Sequence, residues 1–310
     1  TPIELYLTYG ILVGVLGNGA LFAPIVAYVS RWFERHRGLS LGIIGSGVSL
    51  AGVIWPPVIG YLNETVGWRT MFLWYGILSM ALMLPMSVIL HRRPPEPAAL
   101  AMGQAASHQD LVLGWPPWLV HGALCAAIVG CCVAMALPIT HIVAYATDLG
   151  YSRMVAAELL SVMLGVSLIS KVGGGGLADR MGGLKTLIMG SSLQALMLAV
   201  MAFTTDLAAL YGVVALFGFG YGAIVPMYAF TLREYFPVKG SAGRIATLFF
   251  FGLIGMAAGS YLGGLVFDLT GAYRPAFLMG VATNVVNLAI IATLLRRART
   301  MLPARYAAAE

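Results

Sequence analysis

Charge is what this sequence has least of. Of its 310 residues only 10% are Asp, Glu, Lys or Arg, while 60% are hydrophobic. A soluble domain carries roughly 25% charged and 45–50% apolar residues. So few charges cannot cover a water-facing surface, which excludes an ordinary globular enzyme or binding module and makes lipid the solvent. Cysteine is scarce as well. Cys125, Cys131 and Cys132 fall inside one apolar run, without metal-ligand spacing or a second group to pair with, so they are core residues rather than a disulfide framework or zinc site. The net charge is +6, but no basic stripe interleaved with aromatics is present, so nucleic acid is not an expected partner. The histidines His36, His91, His108, His121 and His141 are scattered, and neither a His/Asp cluster nor a nucleophile elbow occurs, which argues against a membrane enzyme. Gly173–Gly176 lacks the Gly-Lys-Ser/Thr that completes a phosphate-binding loop, so neither ATP nor any other cofactor is expected.

Long apolar runs are what the chain has instead. Nine reach the length of about 20 residues needed to cross a bilayer: Leu5–Val29, Leu39–Leu62, Thr70–Leu90, Leu119–Ile139, Met154–Gly174, Leu184–Phe203, Leu207–Leu232, Ile245–Phe267 and Pro275–Leu295. None alternates as a barrel strand would. Pro24, Pro56, Pro57 and Pro226 fall within runs, where they are expected to kink helices rather than end them. Arg69, Arg153 and Arg274 fall on one side of these spans, and every other Lys and Arg of the 18 on the other. The excess marks the cytoplasmic side. It puts the C-terminus inside and the start of this chain outside, in a bacterial-type inner membrane. The chain opens on Thr1 almost directly into a span, with no cleavable signal peptide, so further helices are expected upstream.

An internal repeat says how many. Tyr9-Gly10 recurs as Tyr211-Gly212, Gly17-Asn18-Gly19-Ala20 as Gly220-Tyr221-Gly222-Ala223, Pro24 as Pro226, and Phe33 as Phe236. Gly67-Trp68-Arg69 recurs in Gly271–Arg274, and Phe72 as Phe277. Spans one to three therefore repeat as seven to nine in the same orientation, while four to six have no partner. The expected whole is two six-helix halves with a site between them. Residues 1–90 are then a three-helix remnant of the first half, 91–117 a cytoplasmic linker, 118–295 the complete second half and 296–310 a cytoplasmic tail. The fold class expected is an all-α membrane protein with nine transmembrane helices.

The stretch Gly173–Lys185, GGGGLADRMGGLK, resembles the cytoplasmic loop signature of the major facilitator superfamily, G-x-L-A-D-R-x-G-x-x-[RK]. Arg31–Gly47, RWFERHRGLSLGIIGSG, is similar to the W-F-x-x-R-R-G-L-A-x-G pattern of its monocarboxylate and oxalate/formate porters. His141–Gly150, Gly67–Phe72 and Asp268–Phe277 are similar to bacterial members of that branch. The resemblance implies a helical bundle that works by alternating access, with the loop residues Gly175, Asp179, Arg180, Gly182 and Lys185 as a gate. From the residues themselves, Asp179 is placed to cap the following span, and Gly175 and Gly182 to permit close approach and turning. The glycines of the eighth span, Gly252, Gly255, Gly259 and Gly263, stand at helix-packing spacing.

Lys171 lies eight residues before Asp179, about 12 Å of helical rise from the loop and near the middle of a ~30 Å hydrocarbon layer. A cation there costs at least ~2.5–3.5 kcal/mol, and such residues mark solute pathways; the alternative is a side chain that snorkels to the headgroups. The resembling porters carry a basic residue, usually arginine, at this spacing, which holds the substrate carboxylate. Ser167 stands where their proton-coupled members tend to have aspartate. Asn18, Asn284, Asn287 and Thr140 are further candidates to face a cavity, as well as to bond between helices. The function expected is secondary transport of a small organic anion, a mono- or dicarboxylate, with proton coupling as one form, and with solute and lipid as the partners. A facilitator for a sugar, drug or amino acid, or a remnant that no longer transports, are the alternatives. Nothing in the sequence implies an oligomer.

Overall fold

The computed structural model describes residues 3–4, 7–8, 10, 14, 19–33, 35–89, 111–237 and 240–307. They form ten helices: α1 Gly19–Trp32, α2 Arg37–Val66, α3 Trp68–Ile89, α4 Pro117–Asp148, α5 Arg153–Met181, α6 Gly183–Met201, α7 Leu207–Gly222, α8 Ile224–Tyr235, α9 Ser241–Thr270 and α10 Arg274–Ala307. Eight stretches among the described residues are long and apolar enough to cross a membrane, with α7 and α8 counted as one. The first predicted run reaches the described residues mainly as α1, and most of the 91–117 linker lies outside them.

Helix ends follow local chemistry. The Ser152 hydroxyl accepts from the Val155 N–H to cap α5, and Asp206 accepts from Ala209 N–H at 2.9 Å to cap α7. The helices run through Pro24, Pro85 and Pro138 without ending. Pro226 behaves differently: the seventh span is interrupted at Ala223, just ahead of it. A proline has no N–H for the carbonyl of residue i−4, here Gly222, and its ring crowds that carbonyl. The repeat has a structural counterpart at its turns. Gly67 ends α2 with φ +80 and Gly271 ends α9 with φ +68, a backbone that glycine adopts without strain.

Contacts between helix termini divide the bundle into two ends. At one, α5 and α8 finish against the starts of α2 and α6; at the other, α4 finishes against the α6–α7 turn. Among the described residues, Arg69, Arg153 and Arg274 begin helices at the second end, while Arg31, Arg37, Arg180, Lys185, Arg233, Arg244, Arg296, Arg297 and Arg299 gather at the first, called the basic end below.

Lipid gives helices no hydrophobic reason to associate, so close packing and interhelical hydrogen bonds must hold them together. Glycines supply the first. A Cβ on Gly255 would stand 2.7 Å from the Val129 carbonyl and one on Gly259 would meet Val133, so α9 lies with its backbone against α4; Gly252 and Gly263 continue the seam onto Ile128 and His141. Gly130 and Gly280 do the same between α4 and α10, and Gly218 and Gly222 between α7 and α5. By contrast α3 turns Leu73, Trp74, Leu84 and Val88 outward and touches chiefly α2.

A fully buried polar cluster supplies the second. Asn284 Nδ2 donates to the Ser191 carbonyl at 3.0 Å, Asn287 Nδ2 to Ser191 Oγ at 3.1 Å and to Asn284 Oδ1 at 2.8 Å, and Tyr228 O–H to Asn287 Oδ1 at 2.6 Å. Gln194 Nε2 adds a bond to the Cys131 carbonyl at 3.2 Å. These residues tie α4, α6, α8 and α10 together. Asn287→Leu would leave the Tyr228 hydroxyl without its acceptor, a loss of about 1–3 kcal/mol. The variant should unfold several degrees below the parent in a detergent thermal scan; an unchanged midpoint contradicts a bracing role.

Candidate functional site

The longest interhelical seam between residues before and after position 91 joins α2 to α5. Gly42 lies so near α5 that a Cβ there would run into the Lys171 carbonyl, and one on Gly45 would stand 2.8 Å from Pro226 Cγ and 3.8 Å from Lys171 Cδ. Three helices, α2, α5 and α8, thus meet around Lys171, which is 9% exposed. Ten residues, about 15 Å, separate it from the end of α5.

Its ammonium donates to Ser49 Oγ on α2. Ser49 and Ser167 hydroxyls pair at 2.8 Å, and Ser167 lies one turn before Lys171. Ser167 also donates to the Leu164 carbonyl at 2.7 Å. That spends its proton, so the Ser49 hydroxyl must donate to Ser167 while its oxygen receives the ammonium. The chain of donors runs from Lys171 to Ser49 to Ser167 to backbone. Both serines are buried, and no carboxylate among the described residues pairs with the ammonium. Ser49 lies twelve residues, about 18 Å, into α2, so the ammonium is not drawn back toward the basic end as a snorkelling side chain would be. Two cavities, of 340 and 360 Å³, lie elsewhere in the bundle, and Lys171 is buried among the described residues.

At the basic end Asp179 does something the sequence did not suggest. Its Oδ1 accepts from the Gly38 N–H at 2.7 Å and its Oδ2 from the Leu39 N–H at 3.0 Å. These are two of the orphan donors at the start of α2, whose own N-cap residue, His36, makes no side-chain cap. Asp179 therefore caps a helix across the seam, not the one that follows it in sequence. That one, α6, is capped by Glu234 from the end of α8, whose Oε2 accepts from the Gly183 N–H at 3.0 Å. Gly182, at φ +87, turns the chain between Asp179 and α6, so that the first N–H of α6 points at α8. Gly175 and Gly38 touch backbone to backbone, since a Cβ on either would strike the carbonyl of the other. The Arg37 guanidinium acts electrostatically on Glu234, while Arg180 and Lys185 are exposed on the same end.

The structure thus joins Lys171 with Ser49 and, one end away, Gly175 and Asp179 with Gly38 and Leu39. It does not bring the other candidates to Lys171. Asn284 belongs to the buried cluster with Ser191, and Thr140 pairs with Ser260 Oγ at 2.8 Å toward the far end. Asn18 lies outside the described residues. Two functional neighbours escape a reading of the sequence. Ser49 has no motif to betray it, being one small residue among many on α2; Glu234 carries a weak signal, as one of only 12 acids in the chain, closing an apolar span.

The chain is similar to known membrane transporters. A model of the Major Facilitator Superfamily matches residues 1–231 and 122–309. Monocarboxylate transporter 13 of Bos taurus is 28% identical over 301 residues, 94% of this chain and 67% of that protein. The MFS-type transporter pynF of Aspergillus niger is 26% identical over 265 residues, 84% of this chain and 59% of that protein. The chain thus spans about three-fifths to two-thirds of the length of these curated relatives. The crystal structure of a single-residue variant of the Escherichia coli fucose:proton symporter FucP superposes with a TM-score of 0.67 at 15% identity, over 92% of this chain and 76% of that one, a likeness of fold. A bundle of apolar helices, seamed by glycines and joined at one end through an L-A-D-R loop, has its explanation in this ancestry: the chain is an integral membrane protein that belongs to the major facilitator superfamily.

Proposed function

We propose that the protein carries a small organic anion, a mono- or dicarboxylate, across a cytoplasmic membrane by alternating access, with Lys171 as the group that meets the carboxylate. The observation that carries this is a buried ammonium at the α2–α5 seam bonded to the Ser49 hydroxyl and, among the described residues, to no carboxylate. A cation so deep is costly, and hydroxyls compensate it only in part. An arriving carboxylate does so better, because it brings the full opposite charge that a hydroxyl lacks, and that attraction is strong where water is excluded. Seams that part and re-form around such a group are what alternating access requires. The relative named as a monocarboxylate transporter supports the same solute class.

Asp179, Gly38 and Leu39 act in this reading as the latch that holds the basic end shut. The two carboxylate bonds cross the seam, so they must break when α2 and α5 part there. Arg180 and Lys185 flank the latch, and the density of arginines makes this end the cytoplasmic one. Helices α1–α3 serve as part of one half and α4–α10 as the other.

The test is uptake into proteoliposomes carrying the purified protein. Labelled formate, lactate, oxalate and succinate are compared with glucose and fucose, with and without a pH gradient. Saturable uptake of at least one carboxylate, competed by others and not by sugars, is expected; stimulation by the gradient reports proton coupling. Sugar uptake indifferent to carboxylates overturns the proposal, and so does a protein that moves none of them.

A further inference from the structure

The segment that leads into α4 serves no purpose in transport as described above. Val112 and Trp115 close a two-residue hairpin: the Val112 N–H donates to the Trp115 carbonyl at 2.7 Å and the Trp115 N–H to the Val112 carbonyl at 3.0 Å. Both central residues, Leu113 and Gly114, have positive φ, +54 and +72. Turns of this kind favour Asn-Gly or Gly-Gly, and leucine is a poor occupant of the left-handed region. Such a backbone persists only where its surroundings hold it. Its effect is to lay the Trp115 indole against the last turns of α10, where Arg297 Cζ stands 3.8 Å from the ring centroid.

Beneath that indole, between α4 and α10, lies a groove of about 340 Å³ walled by Leu119, Ala123, Ala289, Ile290 and Leu294. Ala123 and Ala289 make the hollow, since larger residues on either helix would fill it. Thr293 also lines it, but its hydroxyl is spent on the Ala289 carbonyl at 2.8 Å, so apart from the Trp115 indole the wall is apolar. Leu119, Ala289 and Thr293 are exposed, so the groove opens sideways, where the acyl chains of the bilayer stand. Its mouth is at the basic end. There Arg297 is joined by the exposed Arg296, and positions 294–302 contain no acid.

We propose that this groove binds one anionic phospholipid, with an acyl chain along Ala123, Ala289 and Ile290 and the phosphate against Arg296 and Arg297. The chemistry selects this occupant. An apolar wall open to lipid does not suit a polar solute, and the Arg296 and Arg297 guanidiniums beside the mouth repel a cationic headgroup. Guanidinium forks match phosphate oxygens in pairs, and a tryptophan ring is at home at the headgroup level. Basic pockets between helices are where anionic headgroups are held. The lipid would clamp the start of α4 to the end of α10, at the hairpin where the strained turn sits.

The experiment is native mass spectrometry of the purified protein, equilibrated in detergent with equimolar phosphatidylglycerol and phosphatidylcholine of identical chains. Retention of one phosphatidylglycerol, favoured about tenfold, is expected, with a raised thermal midpoint that inorganic phosphate does not reproduce. The Arg296→Gln/Arg297→Gln protein should keep a lipid but lose the preference; Ala289→Trp, which fills the groove and leaves the arginines, should lose the lipid. Equal retention of both lipids by the unaltered protein overturns the proposal without recourse to any variant. A preference that survives both substitutions, or displacement by inorganic phosphate alone, overturns it equally.

Discussion

Lys171→Gln should reduce carboxylate uptake at least ~30-fold, since removing one partner of a buried charge pair costs upwards of 2 kcal/mol and each 1.4 kcal/mol is a factor of ten. Glutamine is nearly as long and keeps an N–H to offer the Ser49 hydroxyl, so the α2–α5 seam should still form. The companion measurement is stability. Among the described residues the buried Lys171 cation is compensated by hydroxyls and no carboxylate, and replacing a buried charge by a neutral side chain of like shape is often neutral or stabilising. The variant should therefore unfold at or above the parental temperature while its transport is lost. A purely structural lysine would give the opposite pattern, with a lowered midpoint and residual uptake in proportion to folded protein. Uptake at the parental rate would end the assignment of Lys171 to the solute. Lys171→Arg should retain uptake, because the guanidinium supplies the same charge.

The second large effect concerns the latch. Asp179→Asn keeps one acceptor oxygen but loses the charge and one of the two bonds at the start of α2. A lost cap is worth roughly 1–2 kcal/mol, so the population with the basic end open should rise about 5- to 30-fold. Spin labels on Ser40→Cys, at the start of α2, and Lys185→Cys, at the start of α6, would read this as growth of a longer distance by double electron–electron resonance. The native Cys125, Cys131 and Cys132 are buried and should not take label. Glu234→Gln is the control that separates latch from cap. Glu234 caps α6 from α8 and meets α2 across the seam through the charge of Arg37, so its loss should lower the thermal midpoint and change the distance distribution far less than Asp179→Asn does. If Asp179→Asn changes only the midpoint, Asp179 is a structural cap and nothing more.

Most of the helices are legible because their signal is local. A run of twenty apolar residues must be helical in lipid, whatever surrounds it, and the described α2–α10 follow the predicted runs. Pro226 is of the same local kind. The seventh span is interrupted at one residue, Ala223, which keeps a helical backbone (φ −76, ψ −15), and it continues beyond the proline as one span, as expected of proline in lipid. Asn284 shows where a local signal fails. A polar residue in a lipid-embedded helix has to find a partner, but whether that partner is a solute or another helix depends on which face is buried. Helical periodicity does not decide this when nearly every residue is apolar.

From its letters alone this chain could be known as a lipid-soluble bundle, with its arginines gathered at one end, its first three spans echoed in its last three, and a single cation far from either surface. Composition, run length and motif spacing suffice for that, since each acts within a helix or between neighbours in sequence. Which groups those residues meet was decided only in three dimensions. Asp179 reaches Gly38 across 141 positions and Lys171 reaches Ser49 across 122, because Gly38, Gly42 and Gly175 let two helix backbones touch. Register between helices is set by such contacts, and a sequence carries no local trace of the distance they span.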